Sequence, residues 1–236
     1  MMNLNWSSLT TILWSNDNAV LPEAALMQVA LQLSWAIVLG SLVFWVLNRW
    51  GRAWPPQLKW AFSALTLCWT LWPGELSPAY WLGLAFQMPS LSSSLLALWC
   101  WWHAARSHTS TAAATSPADL KLLEIWAGSA VVLGWVLLAD TLAWLPWSVY
   151  AWGFSPVVVA GVSVWLMGSW AMFRAVTWRA VVWPLALLLL FVLTRLPSGN
   201  VWDAVLDPIL WLALQVRWII KALQQRHARH QPLASK

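Results

Sequence analysis

Long apolar runs alternate with short polar segments along almost the whole chain. The hydrocarbon core of a bilayer is about 30 Å thick, so a helix that crosses it needs about 20 mostly apolar residues. Seven runs come close to that length: 26–48, 58–72, 79–102, 122–145, 154–173, 176–194 and 201–223. The pattern therefore predicts an all-α polytopic membrane helix bundle over residues 26–223, with about seven transmembrane helices.

Several of these runs depart from a simple span. The run 58–72 is short, Pro89 interrupts the third run, and Pro184 lies within the sixth. The run 201–223 is the least convincing of the seven, so it either crosses the membrane or lies on its surface.

Composition narrows the classes of protein. Hydrophobic residues make up 61% of the chain and charged residues 9%, whereas a soluble domain carries roughly 25% charged residues. This excludes a water-soluble enzyme and a disordered chain. The chain is also rich in tryptophan, with 25 residues, and most of them fall near the ends of the predicted spans, where indole rings prefer to lie.

The positions of the basic residues predict the orientation. Lys and Arg are enriched in cytoplasmic loops of membrane proteins. With the N-terminus outside and seven crossings, every Lys and Arg except Arg195 lies on the inner side. We therefore expect an N-out/C-in, multi-pass protein of a bacterial inner (plasma) membrane. The basic residues do not gather on one face, so no nucleic-acid partner is expected.

The segments outside the predicted bundle are short. Residues 1–25 form an outer N-terminal tail that either lies along the interface or is flexible. The loop at about 103–120 is rich in Ala, Ser and Thr, which predicts a flexible cytoplasmic linker. Residues 224–236 form a basic cytoplasmic tail.

Three charged residues fall within or beside the predicted spans. Glu124 lies near the inner end of the fourth span, and Asp140 lies about one turn below its outer boundary. Arg195 ends the sixth span at a similar depth. A charge inside a membrane needs a partner, so we expect an ion pair between Asp140 and Arg195, with Asp203 and Asp207 as competitors for the same arginine.

Other residues predict contacts between helices. Gln28 and Gln32 share one face of the first span. Small residues four or seven apart let another helix approach closely. These candidates for helix contact are Ala130 and Gly134 on the fourth span and Gly161 and Gly168 on the fifth.

The third span contains a polar patch around its proline. The residues of this predicted helix break are Gln87, Pro89, Ser90, Ser92, Ser93 and Ser94. A broken helix frees backbone groups that protein or water must satisfy. Transporters use such breaks to build solute sites, but serine hydroxyls also satisfy the carbonyls of an ordinary proline kink. Both interpretations stay open.

Many kinds of chemistry have no support in the sequence. No histidine lies inside an apolar run, no lysine lies deep in a span, and no catalytic or metal-binding motif is present. We therefore predict no catalytic residues, no metal and no cofactor, although bound lipids are expected. Cys68 and Cys100 are predicted to be free thiols, because their depths differ too much for a disulfide.

Three functions remain, in this order. The first is a non-catalytic integral subunit of a larger inner-membrane complex, with a structural, assembly or accessory role, whose partners are other integral membrane proteins and lipids. The second is a small transporter or channel built around the third span. The third is a lipid-modifying membrane enzyme that pairs Glu124 with His103 or His108.

Overall fold

The structure, a computed structural model, describes residues 20–51, 53–106, 116–172 and 177–229. Within these ranges the chain forms ten helices and no strand. In chain order they are α1 (Ala24–Trp50), α2 (Pro56–Thr70), α3 (Pro78–Phe86), α4 (Leu91–Arg106), α5 (Pro117–Thr141), α6 (Val149–Trp152), α7 (Pro156–Ala171), α8 (Trp178–Thr194), α9 (Val201–Val205) and α10 (Pro208–Arg229). The predicted all-α fold class is confirmed.

Two of these helices could cross a membrane by length and composition. Helix α1 has 27 residues and α5 has 25, which correspond to about 40 Å and 38 Å at the α-helical rise. Helix α7 and residues 180–194 of α8 are apolar but shorter. Most of the tail 1–25, the middle of the loop 103–120, the end of the tail 224–236 and His108 lie outside the described residues.

Serine and proline together begin three helices. Ser77, Ser116 and Ser155 each precede the proline that starts α3, α5 or α7. In each case the serine oxygen accepts a backbone N–H of the first turn. Proline suits the first helical position because its missing N–H would have no partner there. Local sequence therefore decides where these helices start.

Helix α1 is the centre of the first group of helices, α1 to α4. It packs against α2, α3 and α4. The Ser63 hydroxyl donates to the Gly40 carbonyl at 2.7 Å in a buried position. Lys59 is also buried, and its ammonium donates to Asn48 Oδ1 at 3.3 Å. Polar contacts thus join α1 and α2 along their length.

A cluster of buried apolar residues lies where the first group of helices meets α8 and α9. Phe191 of α8, Val201 of α9 and Leu91 of α4 belong to it together with Ala30 of α1. Phe191 and Val201 are fully buried. This cluster holds α8 and α9 against the start of α4, next to the break in the third predicted span.

The third and seventh predicted spans are each divided in two. Helix α3 ends at Phe86 and α4 begins at Leu91, as Pro89 predicts. The seventh run is not one continuous helix: it forms α9 and α10, with Leu206 in extended backbone between them. Pro208 causes the second division, because a residue before proline is disfavoured in the helical conformation. By contrast, α8 continues through Pro184.

Candidate functional site

The two divided spans meet at one carboxylate. Asp207 Oδ2 accepts the Ser90 backbone N–H at 3.0 Å and the Ser90 hydroxyl at 2.7 Å. It also accepts the Ser93 hydroxyl. Asp207 Oδ1 accepts the Leu210 N–H at 2.7 Å. We call this place the helix-break site, and it comprises Trp35, Gln87, Ser90, Ser93 and Asp207.

Asp207 caps α10 and also holds Ser90, whose hydroxyl oxygen caps α4 by accepting the Ser93 N–H. It precedes Pro208 and accepts an N–H from the first turn of α10, as an N-cap aspartate does. Its other oxygen lies at the start of α4, where Ser90 and Ser93 donate to it. The N-terminal end of a helix carries partial positive charge, so both helices stabilise the same carboxylate.

Trp35 closes the site from α1. Its side chain is 3% exposed, and its Nε1–H donates to the Gln87 carbonyl at 2.8 Å. This carbonyl belongs to the residue where the chain leaves α3, with Gln87 at φ 60°. The Ser94 hydroxyl satisfies the Ser90 carbonyl at 3.1 Å. The Gln87 carbonyl and the Ser90 backbone groups at the break are therefore satisfied inside the protein.

The predicted break residues divide into two sets. Ser90, Ser93, Ser94 and the Gln87 backbone take part in the hydrogen bonds, whereas Ser92 is half buried and has no part in them. Sequence reasoning missed Asp207, which was expected to compete for Arg195. Its position directly before Pro208 was a signal for capping α10, but nothing local indicates its contact with Ser90.

A second polar cluster joins the connectors at one end of the bundle. This connector network comprises Asp140, Ser148, Tyr150, Asn200 and Asp203. Asp140 Oδ2 accepts the Tyr150 N–H at 2.7 Å and the Ser148 hydroxyl at 3.4 Å. The Tyr150 hydroxyl donates to Asp203 at 2.7 Å. The fully buried Asn200 donates to the Tyr150 carbonyl at 2.8 Å.

The pKa of the Tyr150 phenol depends on these neighbours. Burial, together with the hydrogen bond to Asp203, raises the pKa of the Tyr150 phenol to about 12. Gly153 leaves room for the contact, because a Cβ there would lie 1.8 Å from Asn200 Oδ1. The connector network thus depends on a glycine and a buried amide.

The expected pair of Asp140 and Arg195 does not form. Arg195 ends α8 in a left-handed conformation, and its guanidinium lies 5.5 Å from the centre of the Phe191 ring. Asp140 instead accepts the Tyr150 N–H and the Ser148 hydroxyl at the start of α6. In the described part of the chain the ion pair is between Lys221 and Glu124. The pair was wrong because nearby backbone donors reach the carboxylate first.

The predicted contact residues lie in different environments. A Cβ at Gly134 would lie 2.3 Å from the Trp211 ring, whose Nε1–H donates to the Val131 carbonyl at 3.2 Å. Gly161 and Gly168 have no atom within 4 Å of such a Cβ. The remaining candidates lie at the surface or partly buried: Gln28 is exposed, and Gln32 and Ala130 are half buried.

Another carboxylate joins two helices. Asp119, at the start of α5, is buried and accepts the Thr177 N–H at 2.8 Å and its hydroxyl at 3.0 Å. This contact ties the start of α5 to the start of α8. Asp119 lies in the first turn of α5, whose N-cap is Ser116, and like Asp207 it reaches a second helix.

Two further points concern the site, namely whether the described residues could bind a metal ion and whether the chain resembles known proteins. The described ranges contain no group of three or more His, Cys, Asp or Glu residues that could hold a metal ion, and the thiols of Cys68 and Cys100 are free. Compared with protein-family models, with curated proteins and with solved structures, the chain matches none.

Proposed function

We propose that the chain is a multi-pass protein of a bacterial inner membrane, with seven crossings and its N-terminus outside. The contacts between helix ends support this arrangement. One end of the bundle gathers Thr70 with Ser77 and Asp140 with Tyr150, and the other gathers Asn48 with Lys59, Asp119 with Thr177 and Glu124 with Lys221. Lys59, Lys121 and Lys221 belong to the second end and Arg195 to the first, in keeping with the positive-inside rule.

Within that membrane, the chain acts as a non-catalytic subunit of a larger complex. The observation that carries this proposal is the surface of α7. In this helix Ser169 is the buried residue, whereas Val164 is 71% exposed. Gly161 and Gly168 lie on the same open face as Val164, and a Cβ added at either glycine would meet no neighbouring side chain or helix within 4 Å.

A partner helix accounts for this surface better than lipid does. Helix α7 has 16 residues, about 24 Å at the helical rise and so shorter than the hydrocarbon core of about 30 Å. A short span is stabilised by association with neighbours. Glycines on the open face let a second helix approach closely. We therefore expect the partner to pack on the face formed by Gly161, Val164 and Gly168.

The test is a double substitution of the two glycines. Gly161→Leu with Gly168→Leu has room in the protein itself, because no atom lies within 4 Å of either position. The variant should be produced at the wild-type level and should lose the membrane proteins that co-purify with the wild type in mild detergent, as measured by quantitative mass spectrometry.

The matched control is Ala64→Leu, at an exposed position of α2. It should keep the same co-purifying proteins. If the double variant keeps them too, or if the wild type is a stable monomer without specific companions, the subunit proposal is wrong.

A second candidate is a small transporter or channel. The observation in its favour is that the helix-break site combines irregular backbone with the Asp207 carboxylate between helices, as in transporter sites. In proteoliposomes that contain a pH-sensitive dye, proton flux should then be lost in Asp207→Asn and kept in Asp203→Asn. A wild type without flux would count against proton transport.

The lipid-modifying enzyme receives less support. Glu124 is engaged with Lys221, and the ring Nδ1 of His103 lies 3.1 Å from the Trp99 carbonyl. These contacts engage Glu124 and His103, whereas the alternative base, His108, lies outside the described residues.

A further inference from the structure

A cleft separates α1 from α10. Its volume is about 680 Å³, within the range of about 300–1,000 Å³ typical of small-molecule sites. Trp45 of α1 lines one wall, and Ala213, Val216 and Ile220 line the other. Polar side chains of α10 complete the lining, namely Arg217, Lys221 and Gln224. The side of the cleft that α10 forms is thus apolar at Ala213, Val216 and Ile220 and basic at Arg217 and Lys221.

The two cations of the cleft differ in their partners. Lys221 forms an ion pair with Glu124 of α5. Arg217 is exposed and interacts with Glu124 through its charge alone, without a hydrogen bond to any residue that the structure describes. Arginine forms paired hydrogen bonds with phosphate oxygens. Arg217 is therefore the cation of the cleft that is available to an anionic group.

The cleft lies at the right level for a lipid headgroup. Trp45 is 21 residues beyond Ala24, the first residue of α1, a rise of about 32 Å. If α1 starts at the outer boundary, Trp45 lies at the inner boundary of a hydrocarbon core of about 30 Å. Indole rings prefer this depth. Arg217 lines the same cleft and so lies near the inner headgroups.

We propose that this cleft binds an anionic phospholipid of the inner leaflet. The phosphate contacts Arg217, and an acyl chain lies along Ala213, Val216 and Ile220. Basic pockets between membrane helices on the cytoplasmic side are known to bind such headgroups. The inference rests on the membrane placement proposed above but not on the role in a complex.

The role of the Arg217 charge in lipid binding is tested with purified full-length protein and native mass spectrometry. The protein in mild detergent is given equal amounts of phosphatidylglycerol and phosphatidylcholine with the same acyl chains. The wild type should retain phosphatidylglycerol about fivefold better, the effect of one basic residue near the bilayer surface. Arg217→Gln should lose this preference, and Arg217→Lys should restore part of it.

The control for charge is Arg226→Gln, which removes an exposed cation of the same helix outside the cleft. It should keep the preference. Equal losses in Arg217→Gln and Arg226→Gln would overturn the proposal, because the preference would then come from general basic charge. A wild type that retains both lipids equally would also overturn it.

The cleft itself is tested by filling it. Ala213→Trp should reduce retention of phosphatidylglycerol although every charge remains, whereas Leu212→Trp, at a 56% exposed side chain outside the cleft, should not. Inorganic phosphate at millimolar concentration should leave the lipid bound. Displacement by phosphate would indicate a free-anion site instead. The co-purification test of α7 does not depend on any of these results, so either proposal can fail alone.

Discussion

The helix-break site and helix α7 are built in opposite ways. At the break the backbone leaves the helix, and Trp35, Ser90 and Asp207 satisfy the freed groups from three different parts of the chain. Helix α7 is regular, and much of its surface is open. Unpaired backbone groups in a membrane must find partners, whereas an intact helix satisfies its backbone groups within itself. The interruption at the helix-break site therefore joins three parts of this chain, whereas the regular backbone of α7 requires no such contact.

The largest expected effect comes from removing the carboxylate of the helix-break site. Asp207→Ala leaves the donors of Ser90, Ser93 and Leu210 without their acceptor. We expect the free energy of unfolding to fall by about 3 kcal/mol, since hydrogen bonds to charged groups contribute about 1.5–3 kcal/mol each. Denaturant unfolding in detergent measures this.

The control for Asp207→Ala is Asp207→Asn, which keeps one oxygen acceptor and should lose less stability. A loss below about 1 kcal/mol in Asp207→Ala would mean that the break is satisfied by other groups. The contrast with α7 would then no longer hold.

A matched pair of glycine substitutions tests the contrast between a packed helix face and an open one. A Cβ at Gly134 meets the Trp211 ring at 2.3 Å, whereas one at Gly168 meets nothing. Gly134→Ala should destabilise the purified protein by about 1–3 kcal/mol through overpacking. Gly168→Ala should stabilise it by up to about 1 kcal/mol, because alanine favours the helix.

Both variants are compared by the midpoint of thermal unfolding in the same detergent. Equal shifts would show that the two glycines have similar surroundings and would remove the distinction between a packed and an open helix face.

The smallest expected effect is a pH dependence of the connector network. The pKa of Tyr150 is raised from 10.0 to about 12, so the neutral phenol is favoured in the folded state. Its contribution is full below pH 10 and is lost as the pH rises through about 12. Because the side chain is 39% exposed, solvent screening limits the effect to about 1 kcal/mol or less.

Unfolding midpoints between pH 8 and pH 11.5 measure this dependence, with Tyr150→Phe as the comparison. The wild type should lose more stability than the variant over this range. Parallel curves would mean that the hydrogen bond to Asp203 does not hold the proton in the folded state.

Local features of the fold could be predicted because their causes lie within a few residues. Pro89 predicts the end of α3, and Ser-Pro pairs begin α3, α5 and α7. The division at Pro208 has the same cause, but it was overlooked because residues 201–223 were taken together as one apolar run. Their causes lie in the backbone of single residues. Pro184 marks the limit of such a prediction, because α8 continues through it.

Partners of the polar residues could not be predicted in the same way. Asp140 was paired with Arg195 by charge and depth alone, but the N–H of Tyr150 lies nearer. Asp207 and Ser90 are 117 residues apart, and no pattern relates them. Ala130, Gly134, Gly161 and Gly168 formed one class by sequence, yet only contact with α10 distinguishes Gly134 from the two glycines of α7.

The amino-acid sequence by itself determined that this protein is helical and apolar, where proline divides its helices, and that it contains polar residues in need of partners. Only the tertiary structure decided which partners they have and which helix faces remain open. The physical reason is the separation along the chain over which each kind of interaction acts. Helix formation and its interruption depend on neighbours a few residues away, whereas a carboxylate takes whichever donors the packing of distant helices brings within about 3 Å.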